Sequence, residues 1–319
     1  MAFANISSVV DAELAGQFKY TFWRKAPAVV TVAGAWFDYS MAPGNPSPQY
    51  YAAAPLEAQT LSRSGDGGIQ HGGAVSPGVK YLRKVTAFAV TAAGVPQRLY
   101  LLDYLMFYPF CDMGTADSQP MVNTQTLTRY TDGEGVQIMP VLVAPHGVVG
   151  DTFYVTYTNQ DGTAGRVTPL HTMTTAATVN GTLLTTQTAG TGRFGPFMAL
   201  QQGDTGVQSI EAVQCTNGTD VGLFTLVLVK PLAEMTVREI TAPVEKDFLM
   251  EAGLKMPAIE DDAYLNFITC PNGSLTGIPL QGDATFVWSA DKWPASLASM
   301  IWFPRCLPMV SSGGRIGTN

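Results

Sequence analysis

Charged side chains are scarce in this chain, and that scarcity limits what its surface can do. Asp, Glu, Lys and Arg account for 13% of the 319 residues, and 46% of the residues are hydrophobic. An ordinary globular protein carries about 25% charged residues. The apolar runs at residues 99–105 and 223–229 are far shorter than the roughly 20 residues of a membrane-spanning helix. We therefore expect this surface to be covered by other protein subunits rather than by lipid.

The few basic residues argue against two classes of partner. The net charge is -7, with 18 Lys and Arg against 25 Asp and Glu. Nucleic-acid and anionic membrane surfaces both need Lys and Arg to neutralise phosphates. The first residues carry neither the basic segment nor the apolar core of a secretion signal. The sequence thus predicts no direct nucleic-acid partner, no membrane partner and assembly in a cytoplasm.

Turn-forming residues are spread along the whole chain and predict an all-β fold. There are 32 Gly and 21 Pro residues. Asn-Gly pairs, which tolerate the positive φ of tight turns, lie at residues 180–181, 217–218 and 272–273. Extended segments recur between such turns about every ten residues. The prediction is jelly-roll or β-sandwich units with few short helices and long extended arms or loops.

Individual strands can be placed from the same patterns. Alternation over residues 152–157, followed by a turn and an extended run at 165–168, predicts a hairpin. A second hairpin is predicted from residues 207–214 and 221–229 across the Asn217-Gly218 turn. Further strands are predicted at residues 85–90, 98–108, 137–143, 264–269 and 285–289.

Helices are predicted to be few and short, between long irregular segments. Ser7 or Ser8 caps a helix that ends near Gly16, and residues 55–61 and 246–254 are two further candidates. The Pro-rich segment 43–55 should run extended, and the Gly-rich segment 62–78 should form a surface loop or an arm.

The chain is predicted to contain three parts. Residues 1–60 hold an N-terminal helix and the extended Pro-rich segment, and residues 61–145 form a first β unit with the Gly-rich arm or loop. Residues 146–319 form a second β unit. One continuous domain is the alternative.

The motifs that suggest chemistry lack the context that such chemistry needs. Residues 190–195 spell G-x-G-x-x-G, but no buried strand precedes them and a proline follows, which argues against a dinucleotide site. His71, His146 and His171 are far apart and favour solvated loops over a zinc site. The acidic run 260–262 favours a solvated loop, with a bridging cation as the alternative. The sequence predicts no enzyme activity and no cofactor.

Four cysteines are spread widely along the chain. None forms a CxxC pair, so reduced and packed thiols are expected ahead of disulfides. They are Cys111, Cys215, Cys270 and Cys306.

Aromatic residues cluster in the first part of the chain and provide the candidate contact residues. Aromatic side chains anchor subunit contacts because they bury much area at a small entropic cost. A glycan-binding platform is the alternative, since such modules also gather Trp and Tyr on sheets. The predicted interface residues are Trp23, Trp36, Phe37, Tyr50 and Tyr51.

Two parts of the chain carry a family resemblance, residues 23–25, 36–38, 43–51 and 55–56 in the first and residues 282–288 in the second. These segments resemble uncharacterised virion structural proteins of tailed bacteriophages, of the head-associated or capsid-decoration type. It implies a component of a virus particle. It brings no catalytic or binding residues with it.

Several roles within such a particle remain open. The long amphipathic helix of the usual tailed-phage capsid subunit is not evident. The role we expect is an auxiliary or decoration (cement) protein that stabilises the capsid through contacts with other copies of itself, as a trimer, and with the major capsid protein. The alternatives are a major capsid protein of jelly-roll type and a tail or adsorption protein that binds host glycans. The expected location is the virion, after assembly in the host cytoplasm.

Overall fold

The chain folds almost entirely into antiparallel β-structure. The computed structural model describes residues 3–175, 179–186, 195–251 and 255–289. Strands hold 43% of the described residues and helices 6%, and the strands form three sheets. The all-β prediction with few short helices is therefore confirmed.

Seventeen strands and two α-helices make up the described part of the chain. The helices are α1 (Ile6–Leu14) and α2 (Arg63–Asp66), and a 3-10 turn spans Tyr39–Met41. The strands are β1 (Phe18–Lys25), β2 (Phe37–Asp38), β3 (Gly44–Asn45), β4 (Gln59–Thr60), β5 (Val79–Ala89), β6 (Gln97–Asp112), β7 (Gln119–Pro120), β8 (Gln137–Ala144), β9 (Thr152–Asn159), β10 (Arg166–Val167), β11 (His171–Thr172), β12 (Val207–Cys215), β13 (Leu223–Val237), β14 (Val244–Asp247), β15 (Ala258–Ile259), β16 (Leu265–Pro271) and β17 (Leu280–Ser289).

The strands are arranged in a first, a second and a third sheet. The first sheet has the order β14-β5-β17-β1-β3, and β15 also pairs with β5. The second has the order β2-β16-β6-β13-β8, and β4 also pairs with β6. The third has the order β10-β9-β12-β7, and β11 also pairs with β9.

Two long strands connect the three sheets. β6 has 16 residues and β13 has 15, and they pair from Asp112 opposite Leu223 to Gln97 opposite Val237. One end of this pair belongs to a core shared with the first sheet, and the other end to a core shared with the third. The second sheet therefore belongs to two β-sandwiches, one formed with the first sheet and one formed with the third sheet.

Each sandwich has its own apolar core. In the first sandwich, Leu99 of β6 lies in one buried cluster with Trp23 of β1 and Phe286 of β17. In the second sandwich, Tyr108 of β6 lies in one buried cluster with Phe153 of β9. A single strand thus contributes to both cores, which couples the two sandwiches.

The second sheet is buried on both of its faces, which explains the sequence of β6. Trp36, Tyr51 and Leu61 form a third cluster with side chains of this sheet. A strand that is covered on both faces loses the polar alternation of a half-buried strand. Residues 99–109 are accordingly apolar or aromatic except for Asp103.

The predicted strands are largely present, but one predicted hairpin is wrong. The hairpin of β9 and β10 is confirmed by their antiparallel pairing. The segments 207–214 and 221–229 form β12 and β13, which lie in different sheets. The turn between them exists, with Gly218 at φ 59°, and its backbone amides donate to the carboxylate of Asp151. Turn chemistry therefore predicted the reversal but not the sheet that the next strand joins.

Two predicted helices are also wrong. Residues 55–61 contain β4, which pairs with β6, and residues 246–247 belong to β14, which pairs with β5. In both segments the pairing with a neighbouring strand outweighs a weak local helix propensity. Residues 252–254 of the latter prediction lie outside the described residues. The N-terminal helix is present, but Asn5 caps it by accepting from the Ser8 amide at 2.9 Å. No helix within the described ranges is both long and apolar enough to cross a bilayer.

The sheets combine strands from all three predicted parts of the chain. The first and second sheets each contain strands from residues 1–60, 61–145 and 146–319. β1 pairs with β17 along its whole length. β6 and β13 each contribute residues to both apolar cores.

Replacing Trp23 with Ala should destabilise the protein far more than replacing Tyr20, which lies on the same strand. Trp23 is fully buried with its ring centroid 4.2 Å from that of Phe267, whereas Tyr20 is 65% exposed. Truncating a buried Trp costs about 3–5 kcal/mol, and an exposed substitution costs about 0.5 kcal/mol or less. Urea denaturation of both variants measures the difference. Equal losses of unfolding free energy would contradict this arrangement of β1.

Candidate interaction surface

Four of the five predicted contact aromatics lie inside the chain itself. Trp23, Trp36, Phe37 and Tyr51 are between 0% and 6% exposed, whereas Tyr50 is 57% exposed. Aromatic side chains supply core area as readily as interface area, so the sequence did not separate the two roles. These four are core residues, and Tyr50 alone of the five keeps surface that a neighbouring subunit can contact.

A buried carboxylate holds part of this aromatic cluster in place. Asp38 Oδ2 accepts hydrogen bonds from the hydroxyls of Tyr51 at 2.5 Å and Ser40 at 2.7 Å. Asp38 Oδ1 accepts from the Tyr104 hydroxyl at 2.6 Å and the Ser40 amide at 2.8 Å. Burial raises the pKa of Asp38, and it raises the pKa of both tyrosines well above its usual value. Both oxygens of the carboxylate are occupied, so the cluster is a structural one.

A buried ion pair between Arg129 and Asp103 connects loops to the second sheet. The guanidinium of Arg129 donates to both carboxylate oxygens of Asp103, at 2.8 Å and 3.0 Å. It also donates to the carbonyls of Leu61 and Tyr104. Burial raises the pKa of Asp103 to about 6, although the charge of Arg129 opposes that shift. The pair explains why a charged residue is tolerated within the apolar run of β6.

The Pro-rich segment 43–55 is fastened to the body of the protein and is not a free arm. The buried Nζ of Lys25 donates to the carbonyls of Ala42 at 2.7 Å and Pro46 at 2.8 Å. Burial lowers the pKa of Lys25 to about 8, against the opposing effect of Asp38. This lysine acts as an anchor for the loop.

The Gly-rich segment 62–78 is also packed, and the acidic run holds it. Asp262 accepts from the amide of Ser64 at 2.9 Å and from its hydroxyl at 2.7 Å. Asp261 accepts from the Val75 amide at 2.9 Å. Two of the three carboxylates that suggested a bridging cation therefore bind protein donors. No group of three or more His, Cys, Asp or Glu side chains suited to a metal occurs in the described ranges.

His71 is buried in this packed loop, so its predicted solvated position is wrong. Lys80 donates to His71 Nδ1 at 3.1 Å, so the proton lies on Nε2, which donates to the Ala263 carbonyl at 2.9 Å. Lys80 also donates to the Gly73 carbonyl and lies 3.7 Å from Asp261. Burial, and after it the charge of Lys80, lowers the pKa of His71 to about 4. A neutral His71 therefore joins the loop to β5.

The other two histidines are buried at separate places. His146 Nδ1 accepts from the Val148 amide at 3.0 Å, and His171 Nε2 accepts from the Ala199 amide at 2.9 Å. Each side chain thus has a backbone hydrogen-bond partner, and the loop prediction overlooked the burial of both.

The remaining sequence candidates are the cysteines and the Gly-rich motif. Cys111, Cys215 and Cys270 are free, and burial raises the pKa of each thiol. Cys306 and residues 190–194 of the Gly-rich motif lie outside the described residues.

An open groove of about 650 Å³ runs along one side of the first sandwich. It lies between residues 232–237 of β13 and the neighbouring β14, beside the connection 238–243. Leu232, Met235 and Phe248 contribute apolar lining. The groove therefore combines a shaped apolar surface with two strands that run along it.

The strand edges beside the groove are unpaired within the part of the chain that the structure describes. β6 occupies one edge of β13 throughout, whereas β8 occupies the other edge only at residues 223–229. β14 is the terminal strand of the first sheet, with β5 on its paired side. The free N–H and C=O groups of such edges can pair with an added extended segment.

The charges around the groove balance. Glu234 and Glu239 are matched by Arg238 and Lys246. Lys246 Nζ also lies 2.5 Å from a carboxylate oxygen of Glu251. A rim of this kind offers no excess positive charge to a polyanion such as nucleic acid. It suits an uncharged, extended segment of protein.

Sequence reasoning missed this groove, because the predicted strand ended at residue 229. The sequence did contain a signal, namely Pro231 followed by alternating apolar and polar residues from 233 to 237. In the structure these residues alternate between buried and more exposed positions. A proline and a half-buried alternation are typical of an edge strand.

Comparisons with known proteins add little to this geometry. No protein-family model matches the chain, and no curated protein matches it significantly. A crystal structure of the infectious bursal disease virus VP2 subviral particle aligns over 89% of this chain and 83% of that chain, at 9% identity and a TM-score of 0.15. A TM-score so low carries no argument about fold or function. The surface has to be interpreted from its own residues.

Acidification should destabilise the protein in part through His71. The folded-state pKa is about 4 and the ordinary value is 6.5, so the unfolded chain binds the proton first as the pH falls. The stability that neutral His71 provides is therefore complete above pH 6.5 and is lost as the pH falls towards about 4.

Urea denaturation of the wild type and of His71→Gln, at about pH 7 and about pH 4.5, measures this contribution. Gln retains a donor for the Ala263 carbonyl but does not titrate. The variant should lose less unfolding free energy on acidification than the wild type. An equal loss in both proteins would contradict the assignment.

Proposed function

We propose that this protein is a structural component of a virion, and within that class an auxiliary or decoration protein of a bacteriophage head. It acts by burying apolar surface and by strand addition between neighbouring subunits, and it has no catalytic role. The open groove beside the unpaired edge of β13 carries the proposal. The resemblance of residues 23–56 and 282–288 to phage virion proteins points the same way.

Exposed apolar side chains support the proposal. Tyr20 and Phe22 are 65% and 48% exposed. They lie two residues apart on β1 and therefore share one face of that strand. Exposed apolar surface that is not scattered singly is typical of proteins that bind other proteins.

The occupant that we assign to the groove is an extended segment from a neighbouring copy of this chain. The balanced rim matches a partner with little charge, and this chain is such a partner. Strand addition between copies closes safely when the copies are arranged symmetrically, as in a trimer or a ring. The major capsid protein is the second partner in this proposal, and the virion is the location.

A shell-forming subunit is the second candidate, because a sandwich with an open strand edge serves that role equally well. The glycan-binding alternative has less support than the sequence suggested, because Trp23, Trp36, Phe37 and Tyr51 are buried in the core. Tyr20, Phe22 and Tyr50 of the same aromatic cluster are exposed.

Cryo-electron microscopy of the particle that contains this protein tests the proposal. Density on the outer face of a shell built from another protein is the expected result. Density that forms the continuous shell would replace decoration with the shell-forming role. Density at the tail, or the absence of the protein from purified particles, would overturn the proposal.

Filling the groove should weaken the contact between copies. Ala242 lines the groove and is exposed, so Ala242→Arg should place a long cation at its mouth without disturbing the core. Val221→Arg is the matched control, because Val221 is 62% exposed and does not line the groove. Sedimentation velocity of the full chain should show less self-association for Ala242→Arg only. Equal behaviour of the two variants would contradict the assignment of the groove.

A further inference from the structure

Helix α1 carries apolar side chains on two different faces. Val9 and Ala12 are 2% and 5% exposed and pack against Val287 of β17. A second row on the helix recurs every four residues, the spacing that places side chains next to one another. It consists of Ile6, Val10 and Leu14, which are 63%, 41% and 83% exposed. We refer to these three residues as the α1 stripe.

The α1 stripe belongs to a firmly held helix and not to a frayed end. Asn5 and Ser8 form a capping box at its start. Glu13 Oε1 lies 3.2 Å from Arg83 Nε, and Arg83 also pairs with Asp247. These contacts fix the orientation of the helix on the first sheet. The exposure of the stripe is thus a property of the fold.

The chain leaves the described structure beside this helix. The amide of Trp288 donates to the carbonyl of Gln17 at 3.1 Å, and Gln17 follows Leu14 by three residues. The last described residue is Ser289. The described chain therefore ends near the C-terminal end of α1. The stripe spans about 12 Å along the helix, a distance that a few extended residues cover.

The sequence beyond residue 289 is suited to an apolar surface. Residues 297–303 contain no charged side chain and include Trp302 and Phe303. Trp293 lies a few residues earlier. Such a run gains free energy by leaving water, and the α1 stripe is exposed apolar surface within reach of the point of exit.

We propose that residues 290–319 fold back onto the α1 stripe of their own chain. The segment covers Ile6, Val10 and Leu14 and removes its own aromatic side chains from water. This inference does not depend on the role in a virion, because it concerns contacts within one chain.

A photo-crosslinking amino acid tests the proposal in the full chain. Benzoylphenylalanine is placed at Val10 or at Leu14, with Asp11 as the control, because Asp11 is exposed on the same helix but outside the stripe. Equal amounts of unlabelled and ¹⁵N-labelled protein are mixed before irradiation, and the crosslinked peptides are identified by mass spectrometry. Thermal unfolding of each variant verifies that it is folded.

The expected result is a crosslink from positions 10 and 14 to peptides of residues 290–319, with both crosslinked peptides unlabelled or both labelled. The control variant at position 11 should give no such crosslink. Crosslinks between unlabelled and labelled chains would assign the stripe to a second copy and overturn the proposal. Crosslinks to other segments, or the same pattern at position 11, would also overturn it. Two stripe positions are used because the substitution at one of them could disturb the helix locally.

Discussion

The pairing of β6 with β13 is the interaction on which the rest of the structure depends. Each strand passes from one sandwich into the other, so neither core can form without the same antiparallel pair. The groove has the same origin. β13 continues for eight residues, 230–237, beyond the last residue that β8 pairs with, and this difference in length leaves the open edge. The candidate surface is therefore built into the core architecture.

Local patterns predicted the elements better than their partners. Alternation and β-branched residues located β9, and the Asn-Gly pair located the reversal at Gly218. Neither signal states which sheet a strand joins, because that choice depends on contacts distant in sequence. The aromatic candidates failed for a related reason. A Trp that fills a core and a Trp that fills an interface look the same in the sequence, and the donors around Asp38 become visible only in the fold.

Several of the few charged side chains lie in the interior of the protein. Lys25, Asp38, Lys80, Asp103 and Arg129 are all buried, where they hold loops and aromatic clusters. Because burial of a charge is costly unless it is paired or hydrogen-bonded, each has a specific set of partners. These five charges thus help to fix the interior of the protein.

The whole-length pairing of β1 with β17 has a consequence for biosynthesis. Every residue from Phe18 to Lys25 pairs with a residue between Leu280 and Val287, so β1 leaves the ribosome long before that partner strand is made. Contacts of such long sequence separation form slowly, and unpaired apolar strands are prone to aggregate in the meantime. A nascent chain carries Phe22 and Trp23 through most of translation without their sheet. The sheet that buries Trp23 can therefore close only after nearly all of the described chain has been synthesised.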